Sequence, residues 1–262
     1  MRSQGEAFSV PGMKITIGMS GYSYKEWKPD FYPPELKADQ MLRYYSERFG
    51  AVEINNTFYR MPTEKVLMQW AEEVPPGFVF GLKAPRRITH MSRLRNSAEN
   101  VEYFMRTASC LSDRLGPSLF QLPPNFKKDL PLLQEFLGHI PRRWVTAFEF
   151  RHPSWFEDDV YQALREHDVA LCIVDDEEGG TPFEATAGWG YLRLRRGAYS
   201  AKDLEDWADR ITAQPWERAF PFFKHEEDGG KGPLIALEMR RLLDGREGRT
   251  GVRQESRLNS PA

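Results

Sequence analysis

Residues 101–122 read Val-Glu-Tyr-Phe-Met-Arg-Thr-Ala-Ser-Cys-Leu-Ser-Asp-Arg-Leu-Gly-Pro-Ser-Leu-Phe-Gln-Leu, and two periods meet in them. Val101, Phe104, Ala108, Leu111 and Leu115 recur at three- and four-residue steps, the apolar stripe of a helix with one buried face. Gly116-Pro117 then breaks the helix, and Ser118–Leu122 follows as a short apolar run of strand length. A helix feeding a buried strand across a tight turn is half of a βα unit.

The same alternation extends in both directions. Strands are predicted at Lys14–Gly18, Ala51–Asn55, Phe78–Lys83, Ser118–Leu122, Val145–Phe150, Ala170–Val174, Trp189–Leu194 and Ala219–Lys224, with helical stripes between most of them (Met41, Leu42, Tyr45 and Phe49; Ile235, Met239 and Leu242). Thr63 and Ser154 are placed to cap the second and fifth helices. Eight such units in 262 residues match one TIM-type (β/α) barrel. Between Val174 and Trp189 the chain is too short for a regular helix and holds Gly179, Gly180 and Pro182, so an irregular crossover, a distortion of the barrel, is expected between strands six and seven. Residues 1–12 read as a flexible extension, 13–245 as the single domain and 246–262 as a disordered, mildly basic tail.

Composition narrows the function. An apolar content of 40 % supports a sizeable core, while no apolar run approaches the ~18 residues of a membrane span. The net charge of −2 provides no global attraction to nucleic acid or anionic membrane. Cys110 and Cys172 fall on separate elements, both expected in the core, which points to a cytoplasmic protein. Charge is uneven locally: Leu82–Ala98 contains Lys83, Arg86, Arg87, His90, Arg93 and Arg95 and no acid. A phosphate-cradling glycine loop, a dinucleotide fingerprint and a serine elbow are all missing, so no nucleotide cofactor is expected.

In a parallel barrel, residues that end each strand face the site. Those positions are Ser20 and Tyr22; Glu53, Asn55 and Asn56; Lys83, Arg86 and His90; Gln121; Glu149, Arg151 and His152; Asp175 and Asp176; Arg193 and Arg195; Lys224, His225 and Glu226. Strand alternation puts Glu53 with Asn55, Glu149 with Arg151, and Arg193 with Arg195 on shared faces. Two chemistries fit. In one, Lys83, Arg86, Arg151, Arg193 and Lys224 clamp a small phosphorylated or carboxylated molecule, with Tyr22, Asn55, His90, Gln121, Asp175 and His225 completing its site. Glu53, Glu149 and His152 then move protons, the carboxylates raised in pKa by burial, in an enzyme of hydrolase or lyase type. In the other, Glu149, His152, Asp175, His225 or Glu226 hold a divalent metal. The aromatic loops (Tyr22, Tyr24, Trp27, Phe31 and Tyr32; Phe58 and Tyr59) would either stack a base or sugar ring or pack as a lid on the rim.

Five segments resemble one family: Ile17-Gly-Met-Ser-Gly-Tyr-Ser-Tyr24, Val52-Glu-Ile-Asn-Asn-Thr-Phe-Tyr59, Lys83-Ala-Pro-Arg86 with Ile88-Thr-His90, Leu119-Phe-Gln-Leu-Pro-Pro124 and Phe148-Glu-Phe-Arg-His-Pro-Ser-Trp155. They are similar to the YecE-like proteins, catalogued as domain of unknown function 72, over about Lys14 to Leu243. The resemblance implies a TIM barrel and no particular activity. The chain departs from that pattern where Arg193-Leu-Arg-Arg196 replaces an Arg-x-His-Gly ending and Phe223-Lys-His-Glu226 replaces an Asn-rich segment. A nucleic-acid protein, including a metal-assisted nuclease of the endonuclease IV-like barrel type, is a fold-level alternative. A non-catalytic binding barrel with a structural polar ring is a third.

Overall fold

The computed structural model describes residues 12–224 and 229–258, with side chains to Arg246. The N-terminal extension up to residue 11 and the candidates His225 and Glu226 lie outside the described residues.

Among the described residues nine strands form one all-parallel sheet. β1 (Lys14–Ile15) and β2 (Gly18–Met19) are two halves of the first stave. β3 (Ala51–Ile54), β4 (Val79–Lys83), β5 (Leu115–Gln121) and β6 (Thr146–Glu149) follow. β7 (Ala170–Asp175), β8 (Trp189–Leu194) and β9 (Arg218–Phe223) complete the set. β9 pairs with β8 on one side and with β1 and β2 on the other, so the sheet closes into an eight-staved TIM-type barrel. The helices pack outside: α1 (Met41–Ser46), α2 (Glu64–Glu73), α3 (Ala98–Ala108), α4 (Leu130–Gly138), α5 (Asp158–Glu166), α6 (Ala201–Thr212) and α7 (Lys231–Leu258).

The stripe on α3 buries Val101, Phe104 and Ala108, and that on α7 buries Ala236, Met239 and Leu243, against the outer face of the barrel. Inside, Ala51, Leu119, Ala147, Cys172, Tyr191 and Phe222 form a separate plug. Glycine makes room for it: a Cβ on Gly18 or Gly81 would come within 3.0 Å and 3.2 Å of the Phe222 ring. The plug is therefore a packed core, and the open space lies above it.

The crossover between β7 and β8 has no helix. Asp176 Oδ1 accepts from the backbone N–H of Glu178 and of Gly180, each at 3.1 Å, turning the chain back. Buried Thr186 accepts from Leu171 N–H at 2.7 Å and donates to the Val169 carbonyl at 2.8 Å, satisfying strand-edge groups that no helix covers.

Several expectations are corrected. Thr63 occupies the cap position of α2 without a side-chain bond, and the α5 cap position is Glu157, because Ser154 instead accepts from Lys128 N–H at 2.8 Å. Cys110 is half-exposed and only Cys172 is in the core. The tail expected to be disordered from residue 246 is helical backbone, continuous with α7 to Leu258; residues 259–262 lie outside the described ones. Few apolar residues there remove a core-facing stripe, but Arg, Glu and Gln keep good intrinsic helix propensity. Among the described residues no helix is long and apolar enough to cross a membrane.

Candidate functional site

Register builds the site. Parallel pairing sets Glu53 beside Gly81, Gln121 beside Glu149, and Arg193 beside Phe222. Glu53, Gln121, Glu149 and Arg193 face inward and are joined by hydrogen bonds, as alternation along each strand allows.

The floor is a buried ion-pair triad. Arg193, 2 % exposed, donates through Nη1 to Glu149 Oε2 at 2.7 Å and through Nη2 to Glu53 Oε1 at 2.8 Å. Tyr191 donates to the second Glu53 oxygen at 2.5 Å, and Asn55 Nδ2 reaches Oε1 at 3.0 Å. Gln121 Nε2 and Arg151 Nε both donate to Glu149 Oε1, at 2.7 Å and 3.0 Å. A guanidinium fork between two carboxylates, with neutral donors and Arg151 on the remaining lone pairs, satisfies charges that could not be buried singly.

Above this floor opens a hollow of about 240 Å³, lined by Ser20, Tyr24, Asn55, Tyr59, Lys83, Gln121, Arg151, Arg193, Arg195 and Lys224. Five of these side chains are cationic and none is acidic. Lys83 Nζ lies 4.2 Å from the centre of the Phe58 ring and, like the Arg195 guanidinium, forms no hydrogen bond or ion pair among the described residues.

The protonation states follow from this layering. Burial opposes ionisation of Glu149, but Arg193 and Arg151 outweigh it and hold the carboxyl down to about 2. Burial likewise opposes ionisation of Glu53, and Arg193 followed by Tyr191 again prevails, keeping it below the ordinary carboxylate range. The expected upward shift on burial is thus reversed at both. Lys83 shifts the other way: burial, then the neighbouring Arg193 charge, lowers its ammonium to about 8. Arg195 is lowered by burial and by Arg193. His90 is lowered by burial and then by Lys83.

Asn55, Lys83, Gln121, Arg151, Arg193 and Lys224 therefore meet in the hollow, as expected, with Glu53 and Glu149 beneath them. Five other candidates are placed elsewhere. Asp175 points out of the barrel, accepting from Arg196 Nε and Trp207 Nε1, both at 3.0 Å, because on β7 it is the neighbouring Cys172 and Val174 that face inward. Tyr22 packs toward Tyr45, and its carbonyl accepts from Tyr32 OH at 2.5 Å; its own hydroxyl is raised to about 12 by burial and by Glu73. His152 Nδ1 is engaged by Ser154 Oγ at 2.8 Å and Ser154 N–H at 3.2 Å, which makes it a brace for the loop after β6. Arg86 is exposed at the rim, 5.9 Å from the Tyr59 ring centre. His90 also stays at the rim, its Nδ1 2.9 Å from Thr89 Oγ1 and its ring edge-on to Phe58.

Tyr24, Tyr59 and Tyr191 are site residues that strand-end reading misses. Tyr191 had a signal, since it precedes Arg193 by two and must share its face. Tyr24 takes the place expected for Tyr22, donating to the Ser20 carbonyl at 2.9 Å. Among the described residues no three His, Cys, Asp or Glu side chains gather into a metal-binding group. Of the expected ligands, Asp175 is turned outward and His152 is held in its loop, while His225 and Glu226 lie outside the described residues.

Fold and site together define a TIM-type barrel whose mouth is a small basic hollow over a buried, ion-paired floor. The chain belongs to the family described as "Protein of unknown function DUF72", whose model matches residues 16–259. It is 30 % identical to the UPF0759 protein YunF of Bacillus subtilis, over 88 % of this chain and 95 % of that one. It is also 30 % identical to the UPF0759 protein YecE of Escherichia coli over 62 % of this chain, a match spanning 59 % of YecE. A DUF72-family protein from Thermotoga maritima superposes with a TM-score of 0.79 at 28 % identity, covering 88 % of this chain and 99 % of the other. One from Enterococcus faecalis, at 19 % identity and a TM-score of 0.70, shares the fold.

Proposed function

We propose that the barrel mouth binds a small anionic compound bearing a phosphate or carboxylate, and that the protein is an enzyme acting on it. The observation that carries this reading is the charge imbalance of the hollow. Lys83, Arg151, Arg193 and Arg195 supply four positive charges against two from Glu53 and Glu149, a difference of two among these residues. Both acids are already engaged below, so the cations above face a cavity that an anion would complete. Guanidinium forks match phosphate and carboxylate oxygens. The volume lies below the ~300 Å³ at which pockets for drug-sized ligands begin, which favours a compact metabolite.

In this reading Glu53 and Glu149 hold Arg193 rather than shuttle protons, since a carboxylate with so low a pKa is a weak base near neutrality. The nuclease alternative loses support. Trp27, Phe31 and Tyr32 of the first loop are packed on one another rather than presented to a base, and Asp175, one of the candidate metal ligands, points out of the barrel.

Thermal denaturation in inorganic phosphate, pyrophosphate and a panel of phosphorylated or carboxylated metabolites tests the proposal. At about one hundred times Kd a ligand adds roughly 2.7 kcal/mol, which raises Tm by about 5–10 °C in a chain of this size. Arg151→Ala and Arg195→Ala should lose most of that increment. If no anion stabilises the wild type more than these two variants, the proposal fails.

A further inference from the structure

We infer that Lys83 is a nucleophilic amine that condenses with the carbonyl carbon of a small oxo compound, one whose carboxylate or phosphate is held by the surrounding guanidinium groups. The inference rests on the anion-site reading and adds the reacting atom and the substrate class.

The geometry supports it in three ways. Lys83 ends β4 on the inward face and lines the hollow, so its Nζ is presented to whatever the hollow holds. Among the described residues no carboxylate bonds to that Nζ, which lies over the face of Phe58, 4.2 Å from the ring centre. Most buried lysines are neutralised by an ion pair, but here the two nearby acids are claimed by Arg193 and Arg151, at 2.7–3.0 Å. An amine kept from a counter-ion, half-buried and beside other cations is the arrangement that leaves a lysine neutral and reactive near physiological pH. Its lowering to about 8, by burial and by Arg193, agrees with that. The remaining cations, Arg151, Arg195 and Lys224, would fix the anionic end of the substrate within reach of the amine.

The step balances without an oxidant. The neutral Nζ lone pair forms a bond to the carbonyl carbon, and the π pair moves to oxygen, which takes up a proton while the nitrogen releases one. The resulting carbinolamine expels its hydroxyl with a proton as water, and a C=N bond replaces the C=O. The imine nitrogen is protonated in the basic cavity only if the anion of the substrate offsets the surrounding charge, which ties the chemistry to anionic carbonyl compounds.

Borohydride trapping reads this out on the intact protein. The protein is incubated with pyruvate, and separately with dihydroxyacetone phosphate, then treated with sodium cyanoborohydride and digested for mass spectrometry. The inference predicts a stable secondary-amine adduct on the peptide containing Lys83, formed at least tenfold faster than on any surface lysine and suppressed by excess inorganic phosphate. Lys83→Arg, which keeps the charge, should abolish that adduct. Because the modified residue is located in the wild type, the result does not depend on the variant folding. Stabilisation by inorganic phosphate with no preferred adduct from either probe would overturn the nucleophile and leave the anion site standing. Absence of both would remove the two together, as would adducts scattered over surface lysines without phosphate protection.

Discussion

Replacing Arg193 by methionine should cost about 3–5 kcal/mol of folding stability, because it strands the fully buried Glu53 carboxylate and leaves buried Glu149 with Arg151 as its remaining cation. In a chain of this length that lowers Tm by on the order of 10 °C. The loss reflects uncompensated charge more than the worth of the bridge, so the triple variant Glu53→Gln, Glu149→Gln, Arg193→Met should be more stable than Arg193→Met alone. Acid gives an independent check. Glu149 is held at about 2, below its unfolded value, so its contribution is present above the ordinary carboxylate range and lost as pH falls from about 4.5 toward 2. In the methionine variant Glu53 has lost its cation, and burial favours its protonated form. The gap in stability between wild type and Arg193→Met should therefore narrow as pH is lowered through that window. Urea unfolding at pH 7, 5 and 3 measures it, and a penalty under about 1 kcal/mol at pH 7 would show that the triad carries little charge.

Trp27→Ala should cost a similar amount, about 3–5 kcal/mol, as a large core truncation. Trp27 is fully buried, with ring centres of Tyr24, Phe31 and Tyr32 at 5.0, 5.5 and 5.7 Å. These rings join Tyr45 and Phe49 of the α1 region in one packed lobe. Its indole N–H has no partner among the described residues, so Trp27→Phe removes volume but no hydrogen bond and should be much the milder change. Both variants should retain anion affinity within about threefold, as seen by calorimetric titration with pyrophosphate, provided they are folded. Were the cluster a stacking platform, Trp27→Ala would weaken binding and leave the denaturation midpoint close to wild type.

The barrel was legible because its signals are local. Helical stripes such as Val101, Phe104 and Ala108 and the turn residues between them require no knowledge of distant contacts. The gap holding Gly179, Gly180 and Pro182 was readable for the same reason. Strand alternation also made most of the mouth readable, pairing Glu53 with Asn55, Glu149 with Arg151 and Arg193 with Arg195. It fails where the parity of a strand's last residue is misjudged: a single step separates inward Val174 from outward Asp175. Loop conformation was beyond reach, so Tyr22 and Tyr24, two residues apart, exchanged roles. The direction of the carboxylate shifts was illegible for a different reason. Burial alone predicts a raised pKa, and the guanidinium that reverses it on Glu53 comes from a residue 140 positions along the chain. Only closure of the barrel brings them to 2.8 Å.

Diffraction from crystals soaked in selenate, with data collected at the selenium absorption edge, tests the central claim most directly. The excess of cations over available acids predicts an anomalous peak inside the barrel mouth, within hydrogen-bond reach of Lys83 Nζ and the Arg195 guanidinium, and displaced by phosphate. A mouth without a peak, while selenate occupies other basic patches on the same molecule, would contradict it.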